Sequence, residues 1–421
     1  MNILVVGAGG REHAICWAIR KSNKCKNLYC APGNAGIGEV ATCVNIGITD
    51  IEKIVTFSLE KNIDLVVIGP EDALVIGLVD ELKKNSILAF GPNKSASILE
   101  GSKSFMKEFF DKYNIPTAEF KCFDNHQDAI SYVKHMGAPI VVKASGLAAG
   151  KGVFVCQNED DAVAAIKNLM LNDVLGEAGK KVVIEELLLG EEVSFFCLVS
   201  NNDCIPLATA QDHKRAYDGD LGPNTGGMGA YSPANILNDS LSEKIMRTII
   251  KPTIKGMSLE KRPFSGLLYA GLMITENGPK VLEYNVRFGD PECQVILTRI
   301  ASDPLEMFLA TAQGRLSEIN LEWKKDSSLV IIMATNGYPG EYQRGSVILG
   351  LEKVEEMIDV NVFHSGTANR NGNIIANGGR VLGITATGKS LKEAQRIAYS
   401  GVKKIGWENG FYRTDIGNKG L

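Results

Sequence analysis

The stretch Lys143-Ala144-Ser145-Gly146-Leu147-Ala148-Ala149-Gly150-Lys151-Gly152 joins two runs of apolar and β-branched residues, 139–144 before it and Val153–Cys156 after it. The runs read as strands, and the glycines between them as a loop able to fold over a ligand. Such a loop offers backbone N–H groups to phosphate oxygens, while a lysine on the strand neutralises phosphate charge. A Walker loop would need Ser or Thr after Lys151, where Gly152 stands, and would open a helix rather than a strand. The stretch is thus either a triphosphate-covering loop of another type or a plain glycine-rich hairpin. In the first case Lys143, Ser145, Gly146, Gly150, Lys151 and Gly152 are its phosphate contacts.

Downstream, 160–171 reads as a helix and 181–188 as a third strand, ending in Glu185-Glu186-Leu187-Leu188-Leu189-Gly190-Glu191-Glu192. A strand-edge backbone here can read adenine through its N–H and C=O groups, and a carboxylate a few residues on can accept ribose hydroxyls. An acidic solvated turn is the alternative. Longer strands are expected at 193–199, 206–210, 267–274 and 280–285. In Glu283-Tyr284-Asn285-Val286-Arg287 the alternation of a strand sets Glu283 and Asn285 on one face. Two oxygen ligands on a rigid strand suit Mg²⁺, which takes few protein ligands and completes its shell with phosphates and water. The other reading is a solvent-facing polar strand. If the strand continues, Arg287 shares that face and can pair with a carboxylate or an oxyanion. Asp290 and Glu292 read as caps of the helix that follows. The strand before, 264–274, carries no acid, so protein ligands alone leave the metal shell incomplete.

Upstream, residues 1–100 alternate short β-branched strands, 3–6 and 65–68 among them, with amphipathic stretches such as 11–21. This predicts a parallel sheet with helices on both faces. Gly7-Ala8-Gly9-Gly10-Arg11-Glu12 closes the first strand and opens a helix. It suits a phosphate or ribose, or simply a tight turn. It lacks the dinucleotide spacing, because the third glycine of GxGxxG would fall on Glu12. Gly69-Pro70-Glu71-Asp72 ends a second strand at the same edge, where Glu71 can hold ribose hydroxyls or merely turn the chain. Residues 102–113 predict a helix capped by Ser102. A long polar loop is expected at 211–233, beginning with Asp212-His213-Lys214-Arg215. This cationic cluster reads as an anion-handling lid or as an ordinary solvated loop.

Composition narrows the rest. With 49 acidic and 45 basic residues and a net charge of −4, nothing marks a nucleic-acid or anionic-membrane surface. Nine cysteines form no CxxC pair, which argues against zinc and against a secreted disulfide framework. No apolar run approaches a membrane span, and the amino terminus opens on a strand pattern rather than a signal-like segment. A cytoplasmic protein is expected.

A lysine strand with a glycine-rich loop, an acidic strand end and then Glu-x-Asn is the order of parts in the ATP-grasp superfamily. Within it the chain resembles the phosphoribosylamine–glycine ligase family. The resemblance rests on Gly9-Gly10-Arg11-Glu12-His13-Ala14, Ala31-Pro32-Gly33-Asn34, Gly69-Pro70-Glu71, Asp212–Arg215, Gly337-Tyr338-Pro339-Gly340 and Gly379-Arg380-Val381-Leu382 beside the stretches above. It implies an α/β fold in three parts: an N-terminal parallel-sheet domain over 1–101, an ATP-grasp domain over 102–324 with a lid subdomain at about 121–188, and a β-rich domain over 325–421. It implies ATP, with Mg²⁺ or Mn²⁺, glycine and 5-phosphoribosylamine as small-molecule partners, and a monomer or weak dimer. By position, Lys103 and Lys143 would contact ATP phosphates. Glu185, Glu186, Leu187 and Leu188 would line adenine, and Glu192 the ribose. Glu283 and Asn285 would hold the metal. Asp212 and Arg287 would serve the glycine and acyl-phosphate end. Gly9, Glu71 and Arg380 would face the phosphoribosyl group. A bicarbonate-activating ATP-grasp enzyme is the nearest alternative, and a nucleotide-binding regulator without catalysis a more distant one. Cys293 in place of a common threonine and Asp72-Ala73-Leu74 in place of Ala-Pro-Leu depart from the family pattern.

Overall fold

The N-terminal residues build a five-stranded sheet in the order Thr42–Cys43, Asn27–Pro32, Asn2–Gly7, Leu65–Ile68, Leu88–Phe90, with every pair parallel. In the computed structural model described here, residues 1–148, 150–172 and 174–421 are described. Ala149, inside the expected phosphate loop, and Asp173 lie outside them. The central strand is apolar on both faces because helices cover both; Ile3, Leu4, Val5 and Val6 are fully buried. Strand order reverses at Asn2–Gly7, so the loops after it and after Leu65–Ile68 leave the same edge side by side. This is where open parallel sheets bind ligands. The two loops touch through Glu12: its carboxyl group fills the space that a side chain at Gly69 would need.

A second sheet is antiparallel, in the order Asp203–Pro206, Glu191–Ser200, Ser265–Thr275, Gly278–Asn285. Its inner face shares one apolar core with the parallel sheet: Leu4, Val66, Phe110, Val193, Leu272 and Tyr284 belong to a single buried cluster. The strand expected over 206–210 ends instead at Pro206. Beyond it the chain keeps touching the Glu191–Ser200 strand, through the Leu207 N–H to the Phe196 carbonyl at 2.9 Å and a bridge between Ala210 and Ser194.

Residues 120–186 form a separate small sheet, Phe120–Phe123, Val182–Glu186, Ile140–Ala144, Val153–Cys156, entirely antiparallel and backed by the helices His126–Met136 and Glu159–Met170. Phe123, Val142, Ile166, Leu169 and Ile184 make a core that belongs to this sheet alone. Burying each such side chain stabilises by roughly 1.5–3 kcal/mol. The glycine-rich loop is therefore carried by a unit with its own, smaller core.

The last sheet corrects one expectation. The segment 211–233 is not irregular: Gln211–Asp212 and Gly229–Ser232 are strands of a sheet completed by Ser327–Thr335, Arg380–Gly388 and Val360–His364, with Gly410–Phe411 also paired to Ser327–Thr335. A second hairpin, Arg215–Tyr217 with Leu221–Asn224, lies between them. Glycine, proline and asparagine hid these strands, whose pairing partner lies about a hundred positions later. The helix Leu391–Val402 covers this sheet. Among the described residues no helix is long and apolar enough to cross a membrane.

Candidate active site

The sheets surround a cavity of about 1160 Å³. Its lining brings together Glu71, Lys103, Lys143, Gly150, Lys151, Gly152, Glu185 to Leu188, Glu192, Asp212, Glu283, Asn285, Arg287 and Arg380, residues drawn from 310 positions of sequence. Of the residues singled out from sequence, Gly9, Ser145 and Gly146 stand outside the lining. The Ser145 hydroxyl lies 3.0 Å from that of Ser104, and the Gly146 carbonyl accepts from Lys103 Nζ at 3.2 Å. Both tie the loop to the helix Lys103–Lys112. Gly9 donates its N–H to Glu12 at 2.6 Å and sits behind Arg11, which does line the cavity.

On the loop side, the lysines are held by one buried acid. Glu185 pairs with Lys143 and, at 2.5 Å, with Lys107. Burial pushes the Glu185 carboxyl up, but the two ammonium groups outweigh it and hold it below the ordinary range. Lys143 also donates to the Leu282 carbonyl at 3.3 Å, so the small sheet touches the Glu283 strand directly. Burial lowers the pKa of Lys103, which Glu283 partly restores.

Glu283 lies opposite Gly271 and Asn285 opposite Tyr269 in the ladder. Burial would push the Glu283 carboxyl up; Lys214, Lys143 and Lys103 together hold it below the ordinary range. An ionised carboxylate beside an amide oxygen fits a hard divalent cation that shares its shell with phosphates. Among the described residues no cluster of three or more His, Cys, Asp or Glu stands ready to hold a metal without them. The donor set therefore suits a metal that arrives with the nucleotide.

The opposite wall is an arginine–carboxylate lattice. The chain leaves the strand at Asn285, and Arg287 reaches Glu71 at 2.9 Å and Glu100 at 2.8 Å. Arg287 holds Glu71 down at about 2 against its burial. Burial dominates at Glu100 and pushes it up to about 7, Arg287 notwithstanding. Arg11 pairs with Glu12 and donates to the Phe288 carbonyl at 3.1 Å. Asp290 does not cap a helix with its side chain: it faces Arg380 at 3.4 Å and accepts from Gln294 at 2.8 Å. Glu292 accepts from the Tyr269 hydroxyl at 2.7 Å. Lys214 bridges Glu192 and Asp212. Burial pushes the Asp212 carboxyl up to about 7, helped by Glu292 and Glu192 and opposed by Lys214.

Sequence reasoning passed over Arg11, Glu100, Lys107 and Lys214 as individual site residues. Lys107 had a legible signal: it follows Lys103 by four positions on one helix, hence on the same face. Glu100 had none, because its partner is 187 positions away.

A small sheet that carries a lysine and a glycine loop, closed over a second sheet that presents Glu-x-Asn, is the architecture of an ATP-grasp enzyme. Models of phosphoribosylglycinamide synthetase match the chain in three segments: the N domain over residues 1–100, the ATP-grasp (A) domain over 101–293 and the C domain over 328–419. The phosphoribosylamine–glycine ligase of Brucella melitensis is 50% identical over 417 residues, covering 99% of this chain and 97% of its own. The crystal structure of phosphoribosylamine–glycine ligase from Thermotoga maritima superposes with a TM-score of 0.85 at 32% identity, covering 99% of this chain and all of that one. The biotin carboxylase domain of Hydrogenobacter thermophilus 2-oxoglutarate carboxylase, solved with MgADP and bicarbonate, shares the fold at a TM-score of 0.74 and 16% identity over 98% of this chain and 91% of that one. The chain belongs to the phosphoribosylamine–glycine ligase family, ATP-dependent ligases of purine biosynthesis.

Proposed function

We propose that this cavity joins glycine to 5-phosphoribosylamine through glycyl phosphate. A carboxylate is a poor acyl donor, so the glycine carboxylate oxygen first attacks the γ-phosphorus of ATP and ADP leaves. The amine of phosphoribosylamine then attacks the acyl carbon and phosphate departs with its electron pair, giving glycinamide ribonucleotide. Water would hydrolyse the mixed anhydride, which is why the reaction needs an enclosed cavity.

The observation that carries this reading is the Lys143 contact with Leu282, which sets the phosphate-loop lysine beside Glu283 across 139 positions of chain. Lys103 and Lys143 meet the ATP phosphates, and the loop from Gly150 to Gly152 covers them. The strand end from Glu185 to Leu188 lines the adenine, and Glu192 takes the ribose. Glu283 and Asn285 would hold magnesium or manganese, which when bound screens the charge on the phosphoryl group in transfer. Asp212 receives the glycine ammonium group, and Arg287 stabilises the oxygens of the acyl phosphate. Glu71, backed by Arg11, faces the ribose of phosphoribosylamine, with Arg380 beyond it toward the phosphate.

Every group in this scheme comes from one chain, which suits a monomer or weak dimer. Nine cysteines, none of them disulfide-bonded, suit the cytoplasm. The test is ADP release. It should require both glycine and phosphoribosylamine, and bicarbonate in place of glycine should give none. Bicarbonate-dependent release without glycine would move the enzyme to the carboxylating branch of the fold.

A further inference from the structure

The run Asp212-His213-Lys214-Arg215 joins the cavity to the C-terminal segment. Asp212, Lys214 and Arg215 line the cavity, while His213 and the Arg215 carbonyl meet the C-terminal segment. His213 Nε2 accepts the Gly417 N–H at 3.3 Å, and the Arg215 carbonyl accepts from Arg413 at 3.0 Å. The same segment grips the tip of the Arg215–Asn224 hairpin. Arg413 donates to Asp220 at 2.9 Å, the Thr414 N–H to Asp218 at 2.7 Å and the Gly219 N–H to Asp415 at 2.9 Å. Lys419 pairs with Asp220 at 2.5 Å. The segment is itself fixed to the last helix: Tyr399 donates to the Arg413 carbonyl at 2.9 Å, and Gln395 to the Ile416 carbonyl at 2.9 Å. Arg413 is 1% exposed, which is unusual for an arginine.

We infer that residues 413–419 are a clasp that sets the position of the hairpin wall, with Arg413 as its positioning residue for Asp212 and Lys214. A short polar hairpin with two exposed tip residues, Tyr217 and Leu221, has no core of its own to hold it still. The C-terminal sheet supplies that rigidity through a fork of charge-assisted bonds. The inference rests on the assignment of Asp212 to the glycine end. It makes the C-terminal domain part of the glycine site without contributing a side chain to glycine itself.

The test compares Arg413→Met, Arg413→Lys and Thr414→Val with the parent enzyme, using glycine- and phosphoribosylamine-dependent ADP release and hydrogen exchange over 215–224. A displacement near 1 Å can cost on the order of 100-fold. Arg413→Met should therefore lower kcat/KM for glycine at least about tenfold while the KM for ATP stays within about twofold. Arg413→Lys should recover part of the loss, and exchange in the hairpin should quicken. Thr414→Val, which removes only a surface hydroxyl tie to Asp218, should show the same pattern more weakly and serves if Arg413→Met does not fold. Equal losses for all three substrates, or unchanged exchange in the hairpin, would overturn the clasp. Asp212→Asn separates the two ideas. If it leaves glycine dependence intact, the glycine assignment fails, and the exchange data alone decide the clasp.

Discussion

The two sides of the nucleotide cleft are built on different principles. The Glu283–Asn285 strand is nailed into the largest core of the molecule, shared with the parallel sheet; Tyr284, between the two ligand candidates, is 1% exposed and packs on Phe110. The glycine-rich loop is carried by the small sheet, whose core contains no residue from outside 120–186. Opening the loop side breaks polar ties to Ser104, Lys107 and Leu282 but unpacks none of the larger core, whereas the Glu283 strand can loosen only with that core. If the strand holds the cation and the loop covers the substrate, as proposed above, the partition of cores suits the fixed geometry of the one and the movement of the other.

The strongest way to break this comparison is at the rigid side. Glu283→Ala should cut kcat on the order of 1000-fold or more, because several kcal/mol of charge stabilisation is lost with the metal. Its Tm should fall, because the carboxylate no longer offsets the mutual repulsion of Lys214, Lys143, Lys103 and Arg287, while the core around Tyr284 keeps the chain folded. Steady-state ADP release and calorimetry check both parts. On the loop side, Lys143→Met should cost about 100-fold in kcat/KM for ATP, a loss of roughly 2.7 kcal/mol. The small sheet should stay folded in this variant, because Lys107 still neutralises Glu185.

The core variants sharpen the contrast without touching the cleft. Leu272→Ala and Leu169→Ala should each remove about 2–5 kcal/mol of packing. The first should lower the Tm of the entire chain. The second should appear as faster hydrogen exchange confined to 120–186 and a few-fold higher KM for ATP. A global Tm loss from Leu169→Ala would mean the small sheet is not an independent unit.

Much of this was legible in the sequence, and the limits were physical. The strands of the parallel sheet, the glycine-rich hairpin and the Glu-x-Asn strand are each legible as local structure, because period-2 alternation and glycine placement are local signals. The strand Leu65–Ile68 and the Ser102 cap, which accepts from the Phe105 N–H at 3.3 Å, lie where periodicity puts them. The joining of Gln211–Asp212 and Gly229–Ser232 to Ser327–Thr335 was invisible, because their pairing is non-local and their composition mimics a loop. The Glu71–Arg287–Glu100 lattice was half visible. Glu71 and Arg287 stood out one by one, but nothing local says that an arginine after a strand will reach two acids, each more than 180 positions earlier.

The smallest expected effect is in pH. With Asp212 held near 7 by burial, its ionised fraction falls as pH drops below about 7. If the carboxylate receives the glycine ammonium group, kcat/KM for glycine should decline a few-fold from pH 8 to pH 6.5, following that single ionisation. Asp212→Asn should flatten this limb. Glu100, also pushed up to about 7, would leave the limb in place in that variant, so the comparison tells the two apart.

The most direct measurement is a crystal structure of the complex with MgADP. The two sides of the cleft should meet on one ligand: the β-phosphate within hydrogen-bond reach of Lys103 and Lys143, and the cation on oxygens of Glu283 and Asn285. A nucleotide bound away from the small sheet, or a cation held without Glu283, would contradict the account.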